Sequence, residues 1–419
     1  MTVAQPDADV LAAVESAHRS GWALVLAATV RGCGDLDLAQ ECVQDAYARA
    51  LGVWGERGVP DNPVAWLTTV ARRRAIDLHR RAEVRADKLP LLVEEVDEVA
   101  APDPADSVQP WIPDDRLRLV FVCCHPALAL PAQAVLTLRL VCGLTTAEVA
   151  RAFLVQESTM AARITRAKKK ISGARIPYRV PPPEELPARI EAVLTVVHLL
   201  FSTGHTAPDG PVLVRADLLD RALDLARMLR TLLPADPGVA ALLALILFAQ
   251  ARKHTRTAPD GRLLLLEEQD RTRWDTVAIA EAESLTREAL RFRPVNRFAL
   301  LAAIAGVHAQ APSWADTDWG ELVALYDLLL RYWPSPVVAL NRAVAVGFLR
   351  GPEAGLAELE PLAVQPQLAG YPYLAATRAD FLRRLGRRDE ARLAYAEALL
   401  LTENQAERDF LAGRLAQLA

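Results

Sequence analysis

Between Gln156 and Arg175 the chain carries six Lys or Arg residues against one acid, Glu157. Screening limits each charge to a neighbourhood of about 10 Å, so a local cluster of this kind matters more than the total charge. The stretch is also patterned. Met160, Ile164, Ala167 and Ile171 recur at i, i+4, i+7 and i+11, which makes one apolar stripe on a helix. Ser158, Ala162, Thr165, Arg166 and Lys169 then face away from it, with Arg163 on the flank. A helix that shows small and basic side chains can enter the major groove, where they reach base edges and phosphates. A solvated helical hairpin would show the same face. Just upstream, Thr145 or Thr146 can cap an earlier helix with Glu148 close behind, and Val149, Ala150 and Phe153 give it an apolar side. Leu154-Val155-Gln156 makes the turn between the two helices, and Glu157-Ser158 opens the second.

The first ninety residues decide between these readings. Asp9 to Val30 forms an amphipathic helix that contains Trp22. Asp35 and Asp37 begin a second, whose apolar stripe is Ala39, Cys42, Val43, Ala46, Tyr47, Ala50 and Trp54. Asp37, Glu41, Gln44 and Asp45 share another face of that helix. Such a face is either solvated or a docking surface for a basic partner. After a loop (Gly55–Asp61), Asn62 caps a third helix with Pro63 at its first position, where a missing N–H costs nothing. Trp66, Leu67, Val70, Ala71 and Leu78 form its core, and Arg72, Arg73, Arg74, Arg80, Arg81 and Arg85 load the rest with positive charge. We read this as a face that tracks phosphates.

Composition sets the class. The chain has 419 residues, is 52% hydrophobic and is poor in aromatics and in alternating β-branched runs, so an all-α protein of two or three domains is expected. Its net charge of −4 excludes a globally basic nucleic-acid binder. The five cysteines, odd in number and set in helical patterns, fit reduced core residues of a cytosolic protein. Cys123-Cys124-His125 invites a metal reading, but two adjacent cysteines on a helix cannot both reach one ion without strain, so no metal or other cofactor is expected. The N-terminus has acids where a signal peptide would be basic, and windows such as Val239–Ala251 are too short to span a bilayer. The expected location is cytoplasmic, with no membrane partner.

Gly34–Leu51 followed by Asn62–Arg81 resembles region two of bacterial sigma factors of the extracytoplasmic-function class, and Leu144–Ile171 resembles their region four in place and spacing. The resemblance covers about the first 175 residues. It implies that Asp37, Glu41, Gln44 and Asp45 dock on a coiled coil of the largest catalytic subunit of core RNA polymerase. It further implies that the Gly55–Asn62 loop, with Asn62, Arg72, Arg73, Asp77 and Arg80, engages the minus-ten element of promoter DNA. Ser158, Thr159, Arg163 and Arg166, with Lys169, would read the minus-thirty-five element. The sequence departs from the pattern at Gln40, Arg73, Ala161 and Ala162, which leaves the promoter sequence open. The implied domains are region two over 1–88, a linker over 89–112 and region four over 113–176. From Val93 to Asp115 the chain has eight acids, four prolines and no basic residue, so a mobile linker is expected.

Beyond the stiff break Val180–Pro183, residues 184–419 read as ten consecutive helices. The stretch from Leu385 to Leu399 resembles the core of a tetratricopeptide repeat, and the uneven spacing describes a degenerate array. The whole extension resembles that of a sigma-factor subgroup (DUF6596-like) in which it is thought to regulate activity. That resemblance implies as partner a small YCII-like (DGPF) protein, or else a small-molecule or peptide signal. Polar words interrupt its apolar helices, and Arg252, Glu268, Asp270, Arg271, Trp274, Asp318, Asn341 and Arg342 stand out. They make either an internal network that fixes helix register or a ligand pocket. Two competing readings remain: a helix-turn-helix regulator that senses a ligand and never docks on polymerase, and a hydrolase or transferase built on the Glu/Asp/Arg cluster. The acidic helix favours the sigma factor, which is not itself an enzyme.

Overall fold

The computed structural model describes residues 8–87, 115–153, 155–207 and 209–418, and the acidic linker expected over 89–112 lies outside them. The protein is all-α, and its chain forms two compact units, Met1–Val196 and Val197–Ala419.

In the first unit, α1 (Ala8–Cys33), α2 (Leu36–Arg57) and α3 (Pro63–Asp87) pack side by side. The caps expected from sequence form. Asp35 accepts from the amides of Asp37 and Leu38, and Asn62 Oδ1 accepts from the amide of Ala65. The whole apolar stripe of α2 is buried against Trp22, Val25, Leu26 and Val30 of α1 and Leu67, Ala71 and Ala75 of α3. Next come α4 (Asp115–Cys123), α5 (Leu130–Leu136) with a π-turn over Thr137–Val141, α6 (Thr146–Ala152) and α7 (Glu157–Gly173). Thr145 and Glu148 close a capping box on α6. Asp115, assigned to the linker stretch by its acidity, instead opens α4 and pairs with Arg31 of α1 at 3.4 Å.

Those two groups of helices are locked together. Trp22 Nε1 donates to the carbonyl of Leu140 at 3.0 Å, and Tyr178 Oη donates to the carbonyls of Ala27 and Asp115. Gly143, at φ +74°, lies under the Trp22 ring, so near that a Cβ there would fall 2.8 Å from the indole.

Helix α8 (Leu186–His205) contains an 18-residue window with a mean hydropathy of 1.3, long and apolar enough by length and composition to cross a membrane. The sequence reading, which took the most apolar windows such as Val239–Ala251 as too short to span a bilayer, passed over this helix. Arg189, Glu191 and His198 break the run to the eye without lowering its mean enough. Its apolar residues are nevertheless used inside the protein, where Val193, Leu194, Val196, Val197 and Leu200 are buried.

The second unit continues with α9 (Ala216–Leu232), α10 (Pro237–Ala251), α11 (Thr276–Ala289), α12 (Arg297–Gln310), α13 (Trp319–Tyr332) and α14 (Pro336–Arg350). It ends with α15 (Pro352–Leu359), α16 (Pro372–Arg384), α17 (Arg388–Leu401) and α18 (Gln405–Ala416). Helix α18 is additional to the ten read from sequence. Asn404 caps it and also donates to the carbonyls of Ala207 and Val212, pinning a two-residue parallel pairing of β1 (Asp209–Gly210) with β2 (Glu403–Asn404). Helix α10 is apolar on every side because it packs against α9, α11 and α12 at once. Farther on, the ring of Phe381 (α16) rests on Gly347 (α14) and Gly355 (α15), where a methyl group on either would collide with it. Gly347→Ala should therefore destabilise the protein by ~1–3 kcal/mol, the usual cost of overpacking, read as a lower urea midpoint with unchanged slope. An unchanged midpoint would mean that the ring moves aside freely.

Candidate nucleic-acid interface

Helix α7 buries Met160, Ile164, Ala167 and Ile171 and exposes Ser158, Thr159, Arg163, Arg166 and Lys169, the division its spacing predicts. Thr165 and Arg166 bond back to carbonyls one turn earlier. The exposed face can donate to base edges and phosphates.

On α2, Asp37, Glu41, Gln44 and Asp45 are all exposed on one side, opposite the buried stripe. Asp45 meets Arg74 of α3 at 3.3 Å. Arg72, Arg73 and Asp77 are exposed on α3, and Arg80 follows on the same helix beyond the described side chains. Asn62 stands at the mouth of that helix as its cap.

One residue of this surface escaped the sequence reading. Lys168 of α7 reaches across to α2 and donates to Asp37 Oδ1 at 2.5 Å and to Gln40 Oε1 at 2.6 Å. Lys168 is only 14% exposed, and Gln40 is buried. The signal was present, since position 168 lies four residues after Ile164 and three before Ile171, on the edge of the apolar stripe. The basic face of α7 and the acidic face of α2 therefore touch at one corner.

Residues singled out in the C-terminal unit fall into separate places. Asp270 caps a short turn by accepting from Thr272, and Glu268 accepts from the amide of Leu265 and pairs with Arg262. Neither meets Arg252 or Arg271 in the network expected of them. Instead, Arg252 donates to Gln269 and approaches His205, while Arg271 donates to the carbonyls of His308 and Ala311 and lies over the ring of Trp274. The Trp274 indole is tied to Thr255. Asp318 caps α13, and Arg342 bridges Asp327 and Glu358 at 2.6 Å each. Asn341 lines a small cavity with His308 and Trp319. Most of these groups are tied to a backbone group, a ring or an ion-pair partner, whereas Glu267 of the same polar run lines a larger cavity. Glu268 and Asp270 instead accept from backbone amides two or three residues away, the usual local bond of a carboxylate at a turn.

Cys123 and Cys124 are both buried. Burial pushes both thiols up, that of Cys124 to about 12, and its sulfur lies 3.5 Å from the Thr137 hydroxyl. His125 Nδ1 accepts from the amide of Ala127.

Three family descriptions match this chain: "Sigma-70 region 2" over residues 21–85, "Sigma-70, region 4" over 118–171, and a "Family of unknown function (DUF6596)" over 189–290. An uncharacterised protein of Rhizobium meliloti (strain 1021) is 42% identical over 398 residues, 94% of this chain and 93% of its own length. A "Probable ECF RNA polymerase sigma factor SigI" of Mycobacterium tuberculosis (strain CDC 1551 / Oshkosh) is 29% identical over 172 residues, 40% of this chain and 58% of its own. The chain belongs to the extracytoplasmic-function sigma factors. Within that family it carries a C-terminal extension. The region-two match of this sigma factor spans α1–α3, and its region-four match spans α4–α7.

The extension of this sigma factor holds His198 and His308 neutral. Burial lowers His198 and His308 from 6.5 to about 4, helped by Arg297 at the first and by Arg252 and Arg271 at the second. An unfolded histidine takes up a proton near 6.5 whereas these do so only near 4, so stability is full above 6.5 and is lost as pH falls toward 4. Between pH 7 and 5 the loss should be on the order of 2 kcal/mol per histidine. Thermal melts across that range should show a falling midpoint, and a shallower fall in His198→Gln. A flat midpoint down to pH 5 would show that the histidines titrate normally.

Proposed function

We propose that this sigma factor docks on core RNA polymerase through Asp37, Glu41, Gln44 and Asp45 of α2, and that its extension decides how readily it does so. Being a sigma factor, the chain binds core RNA polymerase and directs promoter-specific initiation of transcription. Residues 1–88 hold the polymerase and engage the minus-ten element through Asn62, Arg72, Arg73, Asp77 and Arg80. Residues 113–176 read the minus-thirty-five element through Ser158, Thr159, Arg163, Arg166 and Lys169. Residues 184–419 form the regulatory part, whose partner is a small YCII-like (DGPF) protein or a small-molecule or peptide signal. The factor works in the cytoplasm, where polymerase and promoter meet.

Segregation of charge carries this reading. Three acids share the solvent face of α2, the opposite face is buried, and the exposed basic face of α7 is positioned in the same unit. An acidic face on a rigid helix suits a basic partner, because complementary potentials steer encounter and fix register. The contact of Lys168 with Asp37 then has a direct consequence: in the free protein, one acid of the docking face is already engaged.

Reversing Asp37, Glu41 and Asp45 to Lys should abolish co-purification with core polymerase while circular dichroism stays unchanged, and retained association would sink the docking assignment. Lys168→Ala should act the other way. Asp37 is largely exposed, so the pair contributes less than ~1 kcal/mol and its loss should tighten polymerase binding by up to about fivefold. Weaker binding would place Lys168 in the polymerase interface itself.

A further inference from the structure

The C-terminal unit contains a cavity of about 580 Å³ to which the family resemblance assigns no role. It lies between α14, α16, α18 and the segment Leu263–Glu267, away from the Arg252 cluster that stands out in the sequence. Its size is that of a site for a drug-sized molecule. Much of the wall is aromatic. Phe348 is stacked on Trp319 at 4.5 Å and met edge-on by Trp314 at 5.1 Å, and Tyr373 and Phe410 line the far elements.

Its charges are not used up by the protein. Arg384 lies over the ring of Phe348 at 4.5 Å and Arg414 over that of Phe410 at 5.2 Å. Neither has a carboxylate partner among the described residues. The neighbouring groups do have partners: Arg383 pairs with Asp380 at 2.7 Å, and Tyr373 donates to Glu407 at 2.6 Å. Glu267 is the one cavity carboxylate left without such a partner among the described residues. Arg384 and Arg414 are left to meet an anion, while Glu267, Asp380 and Glu407 along the same wall repel a second negative charge, so a singly charged anion suits the cavity better than a dianion. Aromatic faces beneath both arginines keep the cations in place while leaving their N–H edges to a ligand.

We propose that this cavity binds an amphiphilic monocarboxylic acid, its aromatic or aliphatic body among Trp314, Phe348, Tyr373 and Phe410 and its carboxylate on Arg384 and Arg414. As a signal to the transcription machinery, this ligand rests on the regulatory reading above; as a binding site it stands alone. Arg384 reaches the surface and Arg414 is half-buried, so both keep their charge at the cavity mouth without cost, and a carboxylate meets Arg in two parallel hydrogen bonds.

The test uses the full-length protein and isothermal titration with three matched probes: 6-phenylhexanoate, 6-phenylhexanol and 6-phenylhexylamine. The acid should bind one per chain and about tenfold or more tighter than the alcohol, with the amine weakest. The double variant R384Q/R414Q changes surface-reaching side chains and should keep its melting temperature. It should lose the preference for the acid while still binding the alcohol. Thr377→Trp, which fills the cavity, should remove binding of all three. Equal affinity for acid and alcohol, an unchanged preference in R384Q/R414Q, or no binding of any probe to the wild-type protein would each overturn the site. Promoter output measured with and without 6-phenylhexanoate separates the two readings: binding with no change in output leaves the site standing and removes its regulatory role.

Discussion

Trp22 is buried among helices that come from both promoter-binding parts of the chain, and the arrangement of the first unit depends on its one polar atom. The indole N–H must find an acceptor once buried, and the acceptor is the Leu140 carbonyl, 118 residues away. That carbonyl is accessible because the backbone turns at Gly143, whose missing side chain lets the ring lie flat on the chain. The Tyr178 bonds and the Arg31–Asp115 pair hold the same seam from its far end. With the seam closed, the side chain of Lys168 on α7 can reach Asp37 and Gln40 of α2. An acidic surface and a basic surface that would otherwise act on different partners thus meet within one protein.

Much of this architecture is legible in the sequence because its signals are local. The stripes of α2 and α7 and the caps at Asp35, Asn62 and Thr145 each depend on residues within one or two turns. What was hidden depends on partners far along the chain. Helix α18 is short and polar in its first turns, so its pattern is weak, and the distant carbonyls of Ala207 and Val212 fix its start. The span-like character of α8 was masked by polar residues that interrupt the run without ending the helix.

The faces of the interface were legible for the same reason, since which side of a helix is exposed follows from its period. How the C-terminal polar residues pair was not. Arg252, Glu268, Asp270 and Arg271 stood out together because they are polar words beside apolar helices, which does not say which of them pair. The short 3-10 turns of that segment direct each acid back to its own backbone and leave the arginines to carbonyls and rings. The residues that line the large cavity come from four helices and from the segments between helices, so no local motif could announce them.

Helix α10 has a consequence for how the protein is made. It is apolar on all sides, and its cover comes from α9 before it and from α11 and α12 after it. On the ribosome, the two promoter-binding domains are complete before it emerges. It then waits with one side bare until Gln310 has been synthesised, a pause long enough at ordinary elongation rates for a chaperone to engage it. The extension therefore carries an apolar helix to be shielded during synthesis that a factor ending at region four lacks.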